Sequence, residues 1–445
     1  IPSAWWASWG SGEPVIALGS DVDGIPRASQ MPGVAFRQPM IEGAPGHGEG
    51  HNSGQAVNIV AALAVKEIME SKGLPGTIVI WPGIAEELLG TKAWYARDGL
   101  FEGVDAVLFT HVSNNLSVSW GRARGTGLVS VEYLFDGVAA HGAGDPWKGR
   151  SALDAVELMN IAWNYRREHL HPLQRSHYVI SNGGDQPNVV PSSASVWYFI
   201  REVSADGIRN NFSTLHQIAE GASLMTDTSM SRRIVGAAYP RHFNRPIALA
   251  MDENIKKIGL PSWSENDQQF AKALQSLMGA EEPEGLATEL AGITPDLEQP
   301  ISGGSDDIGD ISWNVPTVTL RYPSNVRGLQ GHHWSSAMAM ATPIAHKGAI
   351  AGAKVIASTM LDLISNDTLV EEAQNYFDDV QTAEEQYRPF ISPDDPPAID
   401  KNQDIMAKFK PMLEELYYDP DRFETYLDQL GIDYPQLTPT EIRRN

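Results

Sequence analysis

Cysteine is absent from the 445 residues. Its absence excludes disulfides, thiolate nucleophiles and Cys-based zinc sites together. A chain without thiols is indifferent to redox poise, so cytosol and periplasm are equally open. Long apolar runs are also missing. No stretch approaches the ~18 consecutive apolar residues of a membrane-spanning helix, and no charged start leading into an apolar core marks a secretory signal. Basic residues are few, 33 Lys+Arg against 56 Asp+Glu, for a formal net charge of −23. An acidic chain repels phosphate backbones and anionic headgroups, and no basic patch offsets this, so neither nucleic acid nor a membrane is an expected partner. What is present is ordinary for a globular protein: 42% hydrophobic and 8% aromatic residues, with length for roughly two or three domains.

Patterning along the chain divides it. Pro14-Val15-Ile16-Ala17-Leu18, bounded by Gly12 and Gly19, reads as a buried strand leading into Asp21-Val22-Asp23-Gly24. Residues 56–69 carry Val57, Ile59, Val60, Leu63, Val65 and Ile68 at helical spacing, predicting a well-buried helix. Strands follow at 77–81 and 106–109, with a helix over 88–97 between them, an alternation that points to an α/β domain. From about residue 118 the pattern changes. Strands at 128–135 and 195–200 alternate apolar and polar residues, and helices are predicted over 151–165 and 208–225, giving an inserted α+β module with one open sheet face. The α/β character resumes with a helix at 249–258, a buried strand at 317–320 and an Ala-rich helix at 341–364. The expected organisation is a split α/β catalytic domain, 1–117 and 244–366, an inserted 118–243 module, and an extension from 367 to 445. That extension holds 19 acidic and 7 basic residues and reads as a loosely packed acidic tail.

Metal-ligand residue types collect at the predicted strand ends. In Gly46-His47-Gly48-Glu49-Gly50-His51, alternating glycines allow a tight fold, and Glu49 and His51 project toward one side. Glu86 and Glu87 follow the 77–81 strand; adjacent carboxylates repel unless a cation or a shared proton relieves them, so a ligand beside a proton-transfer group is implied. His111 ends the next strand, and His332 and His333 follow the last. Each alone has an ordinary structural reading. Together, with the Asp21/Asp23 pair, they supply oxygen and nitrogen donors for two divalent ions.

These motifs, with Ala140-His141-Gly142-Ala143, Gly149-Arg150-Ser151-Ala152-Leu153-Asp154, Pro187-Asn188-Val189-Val190, Tyr198-Phe199-Ile200-Arg201 and Gly304-Ser305-Asp306-Asp307-Ile308-Gly309-Asp310, resemble the M20 metallopeptidase and amidohydrolase family. Within it the likeness is to the B-subunit type of aminobenzoyl-glutamate hydrolase, over residues 4 to 365. The resemblance implies a zinc-exopeptidase-like catalytic domain, a mixed sheet flanked by helices, with an inserted α+β lid that also forms a homodimer. It implies two divalent ions, Zn²⁺ or Mn²⁺. It places metal ligands at Glu49, His51, Glu87, His111 and His332 and the general base at Glu86. It puts His141 and Asn188 near the reacting carbonyl, and Arg201 where a guanidinium meets a substrate carboxylate; Arg150 is a second candidate for that task. Two departures stand out. Position 49 is usually a metal-ligating Cys in this branch, and Glu there makes the site harder and more favourable to Mn²⁺. The chain also begins later than family members do, so a segment before it is expected to be absent or different.

The implied chemistry is hydrolysis of an N-acyl or N-aroyl amino acid, p-aminobenzoyl-glutamate-like, by water activated at the metals with Glu86 as base. Trp5, Trp6 and Trp9 are open to two readings, stacking on an aryl group or packing in the core. Three other functions remain open from sequence: an aminohydrolase acting on an aromatic amine, a dipeptidase, and a non-catalytic M20-fold binding protein.

Overall fold

The computed structural model describes residues 3–88, 90–296 and 303–439. Among them, a five-stranded sheet is built from β1 (Ala7–Ser11), β2 (Val15–Asp21), β3 (Gly76–Gly83), β4 (Ala106–Ser113) and β11 (Thr317–Pro323), in the order β1-β3-β2-β4-β11. β2, β3, β4 and β11 run parallel, and β1 pairs antiparallel to β3. Parallel strands need crossovers, and helices supply them. α1 (Gly54–Lys72) packs on one face with α5 (Arg245–Ile258) and α8 (Pro343–Ser365), burying Val57, Val65, Leu320, Tyr322 and Val355 in one core. α2 (Lys92–Arg97) and α7 (Ile308–Ser312) lie on the other face, where Tyr95, Ile308 and Ile311 join Trp81 and Phe109 in a second core. Each fully buried large apolar side chain contributes ~1.5–3 kcal/mol. α1 ends at Gly73, whose φ of 63° only glycine adopts freely and whose N–H caps the Met69 carbonyl. α6 (Glu265–Leu277) opens on a Ser264/Asp267 capping box.

A ribbon of β5 (Gly121–Arg122) and β10 (His242–Phe243) marks where the chain leaves and re-enters this body. Between them lies an antiparallel sheet of β6 (Gly127–Asp136), β7 (Arg175–Asn182), β8 (Ser193–Glu202) and β9 (Ser229–Ala238), ordered β7-β8-β6-β9. α3 (Ala152–Arg166) and α4 (Ala205–Thr226) cover one face, where Tyr133, Trp163, Val196, Tyr198 and Leu215 are buried. Ser151 and Ser204 start these helices by accepting N–H bonds from Asp154 and Gly207. On β8 the intervening residues Trp197, Phe199 and Arg201 fall on the opposite, open face.

Four details differ from the sequence reading. α1 is only partly buried: Ile59, Val60 and Leu63 are 43%, 54% and 57% exposed, because the sheet and α8 cover a narrower stripe than the apolar pattern offers. The helix expected over 88–97 is a turn at Glu86–Leu88 followed by the short α2, and Leu89 lies outside the described residues. α8 has the length and apolarity of a membrane span, yet half of it is buried as the core helix. The extension from 367, described to 439, is not loose. α9 (Asp367–Tyr376), α10 (Gln403–Glu414) and α11 (Tyr426–Leu430) bury Leu369, Phe409 and Leu427 respectively. Phe390 and Ile391 join the inserted module's core, Lys401 Nζ reaches Glu132 Oε2 at 2.8 Å, and Ala35 donates its N–H to Gln436 O at 2.8 Å. Two of its acidic residues meet the inserted module directly: Asp400 pairs with Arg233 at 2.9 Å, and Glu385 accepts the Tyr239 hydroxyl at 3.1 Å.

Candidate metal centre

The parallel strands all finish at one edge of the sheet, where ligands gather in open α/β folds. β2 delivers Asp21 and Asp23, β3 the Glu86-Glu87 turn, and β4 His111; the chain after β11 brings His332, and the 46–54 loop brings Glu49 and His51 into α1. Glu49 is central. Its Oε2 lies 3.7 Å from His51 Nε2 and 3.6 Å from His111 Nε2, and its Oε1 lies 3.0 Å from His332 Nε2. His332 Nε2 is also 3.5 Å from Glu87 Oε2. Two donor groups therefore share Glu49, one with His51 and His111, the other with Glu87 and His332. His51 is buried, whereas the His332 side chain is 66% exposed, so the second group opens to solvent.

The opposite ring nitrogens are held as ligand imidazoles require. His51 Nδ1 is 3.3 Å from Asp23 Oδ1, and His111 Nδ1 donates to Val112 O at 2.8 Å. Asp23 Oδ2 also accepts the Glu87 N–H at 2.9 Å, which fixes the Glu86-Glu87 turn relative to His51. Ala85 and His332 both sit at positive φ, 56° and 53°, a costly conformation for non-glycine residues held here on both ligand loops.

Charge follows from the geometry. Burial raises Glu49, but the His332 bond and the His111, His332 and His51 rings hold it down to about 2. Burial likewise opposes the charged form of His51, but Asp23 and Asp21 raise it to about 9. His111 falls to about 3 through burial, Arg321 and His51. The two ring Nε2 atoms stand 3.3 Å apart, each within 4 Å of Glu49, and a divalent cation binds such imidazoles in their deprotonated form. The donors are all nitrogen and oxygen, so they suit a borderline or hard divalent ion. Burial raises Glu87 to about 7. Glu86 is buried, and burial, then Asp21 and Asp306, push it well above the usual carboxylate range.

Glu86 also lies against Asp306 and Asp307. Those two are already engaged: Asp306 with Arg241 at 3.3 Å, Asp307 with the buried Lys92 ammonium and the Thr91 and Lys92 N–H groups. Lys92 Nζ reaches Asp21 Oδ1 at 2.5 Å as well. Asp21 is therefore a counter-ion and Asp23 an orienting group, where the sequence reading counted both among possible ligands. Lys92 itself was missed, because its partners lie 71 and 215 residues away.

The inserted-module candidates are dispersed. Arg201 Nη1 donates to Ser305 Oγ at 2.9 Å, beside Asp306, and lies over the Phe199 ring. His141 Nδ1 accepts the Ala143 and Gly144 N–H groups, and a backbone bridge joins His141 to Val189, next to Asn188. Among the described residues no hydrogen bond joins His141 or Asn188 to the ligand cluster. Arg150 is tied to Asp227 Oδ2 at 2.6 Å and to Gly149 O at 2.7 Å. Trp9 packs at the edge of the core under Lys66 Nζ, whereas Trp5 and Trp6 are exposed, Trp6 standing edge-on to Phe101.

Comparison with known proteins adds three findings. Residues 124–222 match the model of a peptidase dimerisation domain. The chain is 33% identical over 399 residues to the B-subunit of p-aminobenzoyl-glutamate hydrolase from Escherichia coli K12, covering 84% of this chain and 82% of that one, and 27% identical over 380 residues to the Xaa-Arg dipeptidase of Mus musculus, covering 85% and 78%. Its fold superposes with a TM-score of 0.56, at 18% identity, on a proposed aminohydrolase from methicillin-resistant Staphylococcus aureus, covering 82% of this chain and 86% of that one.

Proposed function

Since the chain belongs to the M20 family of metallopeptidases and amidohydrolases and is a metal-dependent hydrolase of N-acyl amino acids, we propose that its substrate is an N-aroyl or N-acyl amino acid resembling p-aminobenzoyl-glutamate. The observation that carries the reading is the sharing of Glu49 between two donor groups, with the buried Glu86 alongside. Glu49, His51, His111, Glu87 and His332 would hold two divalent ions. Bound there, such ions supply Lewis acidity toward the amide carbonyl and acidify water. An all-oxygen-and-nitrogen set favours Mn²⁺ more than the thiolate-containing alternative would.

The chain's own groups do the rest. Glu86 accepts the proton of the attacking water and returns it to the leaving nitrogen. Burial, then Asp21 and Asp306, raise its pKa, the direction that makes a carboxylate a stronger proton acceptor. His141 donates to the oxyanion when the 118–243 lid closes, reaching across a homodimer from the neighbouring copy. Asn188 assists on the same side. Arg201, anchored on Ser305 beside the Glu86 group, positions substrate from the lid.

The test is product analysis. Mn²⁺- or Zn²⁺-loaded protein given p-aminobenzoyl-glutamate, other N-acyl amino acids and dipeptides is expected to release the acid and the amino acid in equal amounts. Ammonia as the released amine product would indicate an aminohydrolase, exclusive turnover of dipeptides would indicate a dipeptidase, and no product from any of them would refute hydrolysis.

A further inference from the structure

Arg321 is a cation in the site that neither the sequence motifs nor the proposed mechanism uses. It lies in β11, paired in parallel register with His111 of β4, so the two side chains leave the sheet side by side on one face. The alternate residues Val318, Leu320 and Tyr322 enter the opposite core, under α1 and α8. The face that Arg321 shares with His111 is therefore the one carrying the ligand cluster, where His111 Nε2 sits 3.6 Å from Glu49 Oε2. Its backbone is pinned by two bonds to Ser117, at 2.9 and 3.1 Å.

The guanidinium is unengaged by comparison with its neighbours. Arg150 has Asp227, Arg201 has Ser305, and Arg241 has Asp306 and Arg124 O. Among the described residues no carboxylate oxygen lies within 4.0 Å of Arg321, and its side chain forms no hydrogen bond. The side chain is half-buried, so its donors stay open to a ligand, and an arginine fork pairs best with a carboxylate. Glu49 and Asp306 lie near but are committed, Glu49 to the histidines and Asp306 to Arg241. In an N-acyl amino acid one carbon separates the scissile nitrogen from the carboxylate, so an anchor must stand next to the ligand cluster. A residue in register with His111 does so.

We propose that Arg321 binds the carboxylate of the amino-acid half of the substrate and sets a preference for free acids over neutral amides. This rests on the amide-hydrolase reading above. It assigns carboxylate recognition to a catalytic-domain strand, in addition to the lid guanidinium.

The test uses a probe that cannot be cleaved. N-benzylglutamate, with an amine in place of the scissile amide, and its dicarboxamide are titrated calorimetrically into metal-loaded wild type, Arg321→Gln and Arg321→Lys. Wild type is expected to prefer the acid by about 10-fold or more, as a charge-assisted hydrogen bond allows. Arg321→Gln is expected to lose that preference, and Arg321→Lys, keeping the charge without the fork, to retain part of it. The proposal is overturned if Arg321→Gln keeps the wild-type preference, if it weakens both probes equally as a mere counter-ion would, or if the wild type shows no preference or binds neither probe. If Arg321→Gln does not fold, an Arg321→Lys preference equal to that of the wild type overturns it and a reduced one supports it. Failure of amide hydrolysis would look different: selective binding of the acid probe by wild type, but no amino acid released from any amide.

Discussion

Replacing Lys92 with Met removes the ammonium that stands between two buried carboxylates. Lys92 is fully buried, Asp21 and Asp307 are 1% and 0% exposed, and Asp21 Oδ2 accepts no hydrogen bond among the described residues. Breaking a buried ion network by deleting one member costs ~3–5 kcal/mol, because charge is left uncompensated. The loss should depend on pH. Burial first, opposed by Lys92, already places Asp21 at about 6 and Asp307 at about 7. A carboxyl whose folded pKa exceeds its unfolded value imposes no penalty below the unfolded value, and the penalty grows as pH rises to the folded one. Without the ammonium both folded values climb further, so the variant's penalty keeps growing above neutrality, where that of the wild type has levelled off. Lys92 itself, raised well above its ordinary value, stabilises throughout this range. Urea unfolding followed by tryptophan fluorescence at pH 5.5, 7 and 8.5 should show the largest difference at pH 8.5 and the smallest at 5.5. Asp21→Asn/Lys92→Met/Asp307→Asn should recover most of the loss. A difference below ~1 kcal/mol at pH 7, or one independent of pH, would refute the reasoning.

Glu49→Cys should shift metal preference toward the softer ion, raising the Zn²⁺/Mn²⁺ affinity ratio in competition dialysis; an unchanged ratio would remove Glu49 from the ligand set. Arg150→Ala should leave KM for an N-acyl amino acid within about two-fold, since that side chain is spent on an exposed pair with Asp227. A rise of ten-fold or more would restore it to the substrate site.

The parts legible in the sequence were those written in local residue pattern. The runs at Val15–Leu18 and Thr77–Trp81 are strands because every residue is apolar or β-branched and both faces of a parallel sheet are covered. The ligand types at the strand ends were legible because carboxylates and histidines that close together have few other reasons to be there. β7 and β9 were missed. β7 is an edge strand whose residues are mostly exposed, and β9 begins with Ser229-Met230-Ser231-Arg232-Arg233, so neither shows apolar alternation along its length. Long-range pairing was equally hidden: Lys92 with Asp307, Arg321 beside His111, and Lys401 on Glu132 are set by topology, not by any window of sequence. The acidic extension misled for the same reason, its few buried anchors, Phe390 and Ile391 among them, being diluted by solvated carboxylates.

The most direct measurement is amino-acid release from p-aminobenzoyl-glutamate by wild type and Glu86→Gln, each loaded with Mn²⁺ to the same measured stoichiometry. Wild type should release glutamate, and the variant should retain its metal while kcat falls by ~10²–10⁴. Near-normal turnover by the metal-loaded variant, or a wild type that binds metal and releases no glutamate or any other amino acid, would contradict the account.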